Sequence, residues 1–351
     1  NNLQIIKKIP NSKNNKKFAN YEYPNFLLYQ KESNIYELCD IKNICEEIQI
    51  KDKIDKAFLK DHEYLYGKKK IKYIRKKKDF FKNNKPPQKY NSNNMNKLSL
   101  NDESELYYNQ HVNVIKKDDI LDINYLNNHG RVYVIGGKIS NYKFVINSNY
   151  IADKDKALNE SNFLLDDNYI PYCLTFYDIE ILNIEIKGKN FKNCLKSVRF
   201  IKSKGAIKLV KIINSEGDAL SAELSDLKFV EVNVDKSNDD CLDFESGEYV
   251  FKNLNLSNCM DKGFQIKKKS FVDIENLTIE KSDYGMSIHD SSLVSGKNIF
   301  IDTNKECLSI YRENNSYYGS MMNITDEFLC KNDKNFLHDG SILKVANVIQ
   351  N

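Results

Sequence analysis

Five aspartates and a lysine crowd a short stretch of this chain: Asp218, Asp239, Asp240, Asp243 and Asp261, with Lys262. Carboxylates held about 5 Å apart serve retaining glycoside hydrolysis, and wider pairs serve inverting hydrolysis. Crowding raises one carboxyl pKa, which supplies a general acid. Several Asp oxygens could instead hold Ca²⁺, with Lys262 beside them as a base toward an acidic sugar. The structural alternative is that Asp at a strand start accepts hydrogen bonds from turn amides. Asp218, Asp239, Asp240 and Lys262 are therefore the candidate catalytic residues, and Asp239 and Asp261 the candidate Ca²⁺ ligands.

These residues come together only if the chain stacks on itself, and a repeat shows how. A small, an apolar, a polar and an apolar residue recur at Ser197-Val198-Arg199-Phe200, Ala219-Leu220-Ser221-Ala222, Cys241-Leu242-Asp243-Phe244, Gly263-Phe264-Gln265-Ile266, Gly285-Met286-Ser287-Ile288 and Cys307-Leu308-Ser309-Ile310, a constant step of 22 residues. A fixed period in this range marks stacked repeats. Alternation within each motif is the period of a strand with one buried face, which excludes helical repeats. Two further alternating stretches follow in each unit, so the expected fold is all-β, a parallel β-helix with three short strands per rung. From Val112 to Cys330 there is room for about ten rungs, a prism on the order of 45–50 Å long.

Residues 22 apart then form columns. Val198, Leu220, Leu242, Phe264, Met286 and Leu308 should line the core. The small residue opening each strand predicts a corner too tight for a larger Cβ substituent. Cys241 and Cys307 read as buried packing residues, while Cys173 and Cys194, nearly one rung apart, are placed for either a disulfide or two core thiols. No C-x-x-C pair suggests structural zinc. Arg199, Asp243, Gln265 and His289, with Tyr177, fall on or near outward columns and are the candidate substrate-binding residues.

The chain has 351 residues, 41% of them hydrophobic, and a net charge of +4. That net charge conceals a division. Residues 1–100 hold 23 of the 53 basic and 11 of the 49 acidic side chains, so the excess of positive charge is N-terminal and the remainder is acidic. The reading is two regions: a basic one over 1–110 and the β-helix over 111–351. In the first, Ile35, Leu38, Ile41, Cys45 and Ile48 have helical spacing, predicting a helix from Ile35 to about Tyr66 that covers the open end of the solenoid. The basic run Gly67–Lys78 reads as a solvated linker or a grip on an acidic polymer. From Tyr90 to Asn109 the chain reads as loop. No apolar stretch is long enough to span a membrane. The chain opens on Asn1-Asn2 with no apolar leader, so any secretion signal is expected to be already removed or never present.

Asn238-Asp239-Asp240-Cys241-Leu242-Asp243 and Gly217-Asp218-Ala219 resemble motifs of polygalacturonases, in the pectate-lyase-like superfamily of right-handed β-helices. That likeness implies a right-handed solenoid and places Asp218, Asp239 and Asp240 as catalytic carboxylates. Asp261-Lys262-Gly263 stands where that family has G-H-G, and its R-I-K clamp has no counterpart here. From Tyr172 to Tyr311 the order of motifs is also similar to β-helix modules of bacterial surface proteins, some attached to CotH-type kinase domains. Two readings follow. One is an extracellular or cell-surface module that binds or scaffolds polysaccharide or another acidic polymer without catalysis, with no cofactor or with Ca²⁺. The other is a polysaccharide lyase, hydrolase or epimerase. A phage tailspike is a variant of either, distinguished by a trimeric rather than monomeric mass. Nucleic acid is the less expected partner, and no enzyme class is assigned.

Overall fold

The computed structural model describes residues 95–127, 129–148, 172–314, 317–332, 334–338 and 340–348, and six short strands before residue 95. Its described part is a β-solenoid of about nine turns, one 22-stranded sheet with mostly parallel pairing. The 22-residue step is visible in the register. Val198 pairs with Leu220, Leu220 with Leu242, Leu242 with Phe264, Phe264 with Met286 and Met286 with Leu308. All six are buried, so the column expected from the repeat is the core. Beside it runs a file of rings: Phe176 stacks on Phe200 at 4.8 Å between centroids, and Phe229 on Phe251 at 4.9 Å.

Two corners of each rung place a non-glycine residue in the left-handed region, joined in two rungs by the residue that follows, Lys269 or Ser291. Asp178, Lys202, Leu224, Ser246, Lys268 and Asp290 are so placed at the first, Asn190, Asn214, Lys236, Asn258 and Lys281 at the second. A non-glycine residue adopts this conformation at a cost of about 1–2 kcal/mol. The return is main-chain pairing to the next rung: the N–H groups of Lys202, Leu224 and Ser246 donate to Glu223, Glu245 and Lys267 carbonyls. Immediately after the first corner runs a buried serine ladder. The N–H of Ser203 donates to Ser225 Oγ at 3.0 Å, Ser270 to Ser292 at 3.3 Å, Ser292 to Ser320 at 3.0 Å and Ser320 to Ser341 at 3.0 Å.

After the second corner the small-residue column meets its reason. A Cβ on Gly285 would sit 2.3 Å from the Cys307 carbonyl oxygen, and one on Gly263 2.7 Å from Ile279 Cγ2. Where the column holds Cys, it is bridged: Cys241–Cys259 and Cys307–Cys330 are disulfides, as is Cys173–Cys194. Cys241 and Cys307 are buried as expected, and they are cross-links as well as packing residues. At the equivalent corner two rungs before Cys241, Ser197 Oγ and Ser215 Oγ share a hydrogen bond of 2.5 Å across the same separation of 18 residues.

The N-terminal end of the solenoid is closed by strands, not by a helix. Glu105–Tyr108 pairs antiparallel with Val132–Ile135, and Val112–Lys117 with Ile120–Tyr125, while Asn96–Ser99 pairs with Glu105–Tyr108. Part of the stretch read as loop is thus strand, recruited by an edge that would otherwise be left unpaired. The helix expected from Ile35 is also corrected. Ile35–Asp40 is the middle strand of an antiparallel sheet with Phe26–Glu32 and Cys45–Gln49. Apolar residues on two short strands and the segment between them mimic a helical period, and pairing on both sides of Ile35–Asp40 decides the conformation. The rest of that expected helix, at 50–63, lies outside the described residues. In the basic run, Lys70–Tyr73 pairs antiparallel with Tyr64–Gly67, and 68–69 and 74–78 lie outside the described residues. No helix among the described residues is long and apolar enough to cross a membrane.

Candidate functional site

The first strand of each rung positions the acidic cluster. Lys196 opens Lys196–Ile201, Asp218 opens Asp218–Glu223 and Lys262 opens Lys262–Lys267. Parallel register sets Lys196 beside Asp218, and Asp243 beside both Ser221 and Gln265. Asp240 lies between the Asp218 and Lys262 rungs. Its N–H donates to Asp218 Oδ1 at 3.2 Å, and its own Oδ1 accepts from the Lys262 N–H at 3.0 Å. Both carboxylates therefore hold main-chain groups of the next rung.

Lysines stand against the same carboxylates. Lys196 Nζ bridges Asp218 Oδ2 and Asp243 Oδ2, the latter at 2.5 Å. Lys267 Nζ lies 2.8 Å from Asp243 Oδ1, and Lys262 Nζ lies 2.5 Å from Asp261 and 3.5 Å from Asp240. Asp218, Asp240 and Asp243 are only 5%, 4% and 6% exposed, so the cluster is covered; Asp239 is exposed. Burial pushes the Asp218 carboxyl up to about 7 against the pull of Lys196. Burial and then the charge of Asp218 raise Asp240 well above the usual carboxylate range. Burial works against ionisation of Asp243 too, but Lys196 and Lys267 outweigh it and hold it down to about 2.

A pH dependence follows from these directions. Asp218 and Asp240 have folded pKa values above their unfolded ones, so their contribution to stability is complete below about pH 4 and is lost as pH rises, that of Asp218 through about 7. Asp243 acts oppositely, stabilising above its unfolded pKa and losing that contribution as pH falls through about 2. Asp240→Asn keeps an acceptor for the Lys262 N–H and removes one buried charge. The melting temperature of this variant is expected to exceed wild type at pH 8 and to converge with it near pH 4, as followed by circular dichroism. Parallel curves would show that Asp240 does not carry the dependence.

Ca²⁺ does not fit this donor set. The oxygens of Asp218, Asp239 and Asp240 lie within 4.8 Å of one another, but Asp261 is not among them and pairs with Lys262 instead. Ca²⁺ takes about six to eight oxygens. Here two of the three carboxylates already accept main-chain N–H groups, and two ammonium groups stand against them.

The expected binding residues divide. Arg199 is half-buried, pairs with Glu223 and lies 4.2 Å over the Tyr172 ring. Gln265 is half-buried and accepts from Lys267 Nζ at 3.0 Å, and Tyr177 is half-buried. Asp243 and His289 are not presented to solvent. His289 is 1% exposed, stacks on Tyr311 at 4.9 Å, and has Nδ1 at 3.2 Å from Asp290 and 3.4 Å from Glu313. It sits on the rung after Gln265 and is not part of the Asp218–Asp240 cluster.

No family model, curated protein or solved structure matches the chain. The site therefore has to be read from its own geometry. Two features were not anticipated. Lys196 is the hub between Asp218 and Asp243, although in sequence it is only one of 53 basic residues. Tyr172 and Tyr284 flank Lys196, Asp218 and Lys262 in one column, which runs on to Glu306, and each has a cation over its ring, Lys305 lying 4.7 Å from the Tyr284 centroid. Reading that column one rung further back, to Tyr172, would have found the first.

Proposed function

We propose that this chain is a non-catalytic β-helix module that binds an extended polysaccharide along the face built by the first strand of each rung. The observation that carries the reading is the column from Tyr172 to Tyr284. Its two tyrosines are half-buried and bracket the charged cluster, whose carboxylates are covered and committed to lysines and main-chain N–H groups. Five rungs separate the two rings, about 24 Å at the interstrand spacing. Aromatic rings with a polar tip suit sugar faces, and a straight column suits a polymer rather than a compact ligand. Three disulfides support a location in an oxidising compartment, at the cell surface or outside it.

The test is depletion of the protein from solution by insoluble polysaccharides, with soluble uronate-rich and neutral polymers titrated calorimetrically. Tyr172→Ala combined with Tyr284→Ala is expected to weaken binding tenfold or more without changing the circular dichroism spectrum. Unchanged affinity for a polymer that wild type binds would move the site off this face.

One observation favours a polysaccharide-active enzyme instead. Burial holds Asp218 near 7 and Asp240 above the usual range, and a carboxyl kept protonated in this way is what acid–base chemistry uses as a general acid. Release of reducing ends or unsaturated products that disappears in Asp240→Asn would establish this reading over the first.

A further inference from the structure

Lys196, Asp218 and Asp243 form a triad that the binding reading does not use. Lys196 and Asp218 are partners on adjacent parallel strands, so a bond between their side chains would join two rungs without bending either. Their side chains are 18% and 8% exposed, and that of Asp243 is 7% exposed. Lys196 Nζ contacts Asp218 Oδ2, leaving one C–O bond between the nitrogen and Cγ. Oδ1 of the same carboxyl accepts the Asp240 N–H at 3.2 Å, a donor placed where negative charge develops when Cγ is attacked. Asp243 Oδ2 lies 2.5 Å from Lys196 Nζ, in position to take its proton.

We propose that Lys196 and Asp218 condense to an intramolecular isopeptide bond, with Asp243 as the proton acceptor. The Lys196 ammonium passes one proton to the Asp243 carboxylate. The free amine attacks Cγ of the protonated Asp218 carboxyl, the Nζ–Cγ bond forms, and the Cγ–Oδ2 bond breaks. Oδ2 leaves as water, carrying its own proton and one from the nitrogen, and Asp243 returns its proton to solvent. One water and one proton leave for each amide formed, and no oxidant or activating group is required. One direction of ionisation favours this course, since burial keeps the Asp218 carboxyl protonated; the ion pairs with Asp218 and Asp243 hold Lys196 charged and oppose it, so the geometry of the triad carries the proposal. Condensation also removes a buried ion pair, whose desolvation cost opposes it, and leaves a neutral amide. In that amide Oδ1 keeps its Asp240 donor and the new N–H faces Asp243.

Intact mass of the full chain, after its disulfides are reduced, tests this directly. The expected mass is that of the sequence less one water, with a branched peptide joining Lys196 to Asp218 in tandem spectra of a digest. Lys196→Arg, which keeps the charge, and Asp243→Ala, which keeps both reacting groups, are each expected to return the full sequence mass. A full sequence mass for reduced, folded wild type overturns the proposal. So does a water loss that persists in Lys196→Arg or that hydroxylamine cleaves at Asp218, since those mark a cyclic imide. If Lys196→Arg does not fold, the wild-type digest decides by itself.

Discussion

Phe244→Ala is expected to lower the unfolding free energy by about 3–5 kcal/mol, the largest loss from any single side chain of the described core. Phe244 is fully buried and touches four rings: Tyr249 at 4.7 Å, Phe251 at 5.3 Å, Phe264 at 5.5 Å and Phe229 at 5.8 Å between centroids. These rings belong to its own rung and to both neighbours, so truncation removes apolar burial and also loosens two inter-rung interfaces. A solenoid's stability is roughly a sum of rung and interface terms. Urea unfolding followed by circular dichroism should therefore show a lower midpoint, or a second transition as the stack divides at this rung. A loss below about 1 kcal/mol would mean that the neighbouring rings close the cavity.

Removing the Cys241–Cys259 bridge should have the next largest effect. Opening a closed loop of 18 residues costs about 3 kcal/mol in the chain-entropy treatment. The protein contains its own reference for the replacement, because Ser197 and Ser215 fill the equivalent corner with the same separation and hydrogen-bond to each other. The double variant Cys241→Ser/Cys259→Ser is thus expected to keep the corner and lose stability through the freedom of the unfolded chain. Thermal unfolding with the other bridges intact measures it. A loss far above about 3 kcal/mol would mean that the corner does not accept the serine pair and the folded state is disturbed as well.

The solenoid was legible because its side chains repeat with the pitch of the fold. In the first strand of each rung, residues 22 places apart land in the same column, so Val198 through Leu308 could be assigned to the core from spacing alone. The small column was legible for the same reason, since Gly263 and Gly285 have no room for a Cβ. Outside the repeat the spacing misled. Ile35 to Ile48 has a helical period that strand pairing overrides, and Asn96–Ser99 and Glu105–Tyr108 are strands because an open edge recruits them. The serine ladder keeps the 22-residue step only from Ser203 to Ser225 and from Ser270 to Ser292, and Gly247 interrupts it, so its spacing drew no attention.

At the candidate site, sequence placed Asp218, Asp239, Asp240 and Lys262 on neighbouring rungs, since composition and period together fix which carboxylates crowd. It could not show how they are paired. Whether Asp240 is free to donate a proton or is tied to the Lys262 N–H depends on side-chain rotamers and burial that no column assignment contains. The exposure of Asp243 and His289 was misjudged because an outward column need not be open to solvent. The sequence by itself thus determined the fold, the core and the neighbourhood of the acidic cluster, all of which follow from a one-dimensional period. Only the tertiary structure decided that Lys196 joins Asp218 to Asp243, that the cluster is covered, and that the cysteines at the corners are bridged. Each of those depends on atoms from different rungs meeting at hydrogen-bond or covalent distance, which a period of residues does not specify.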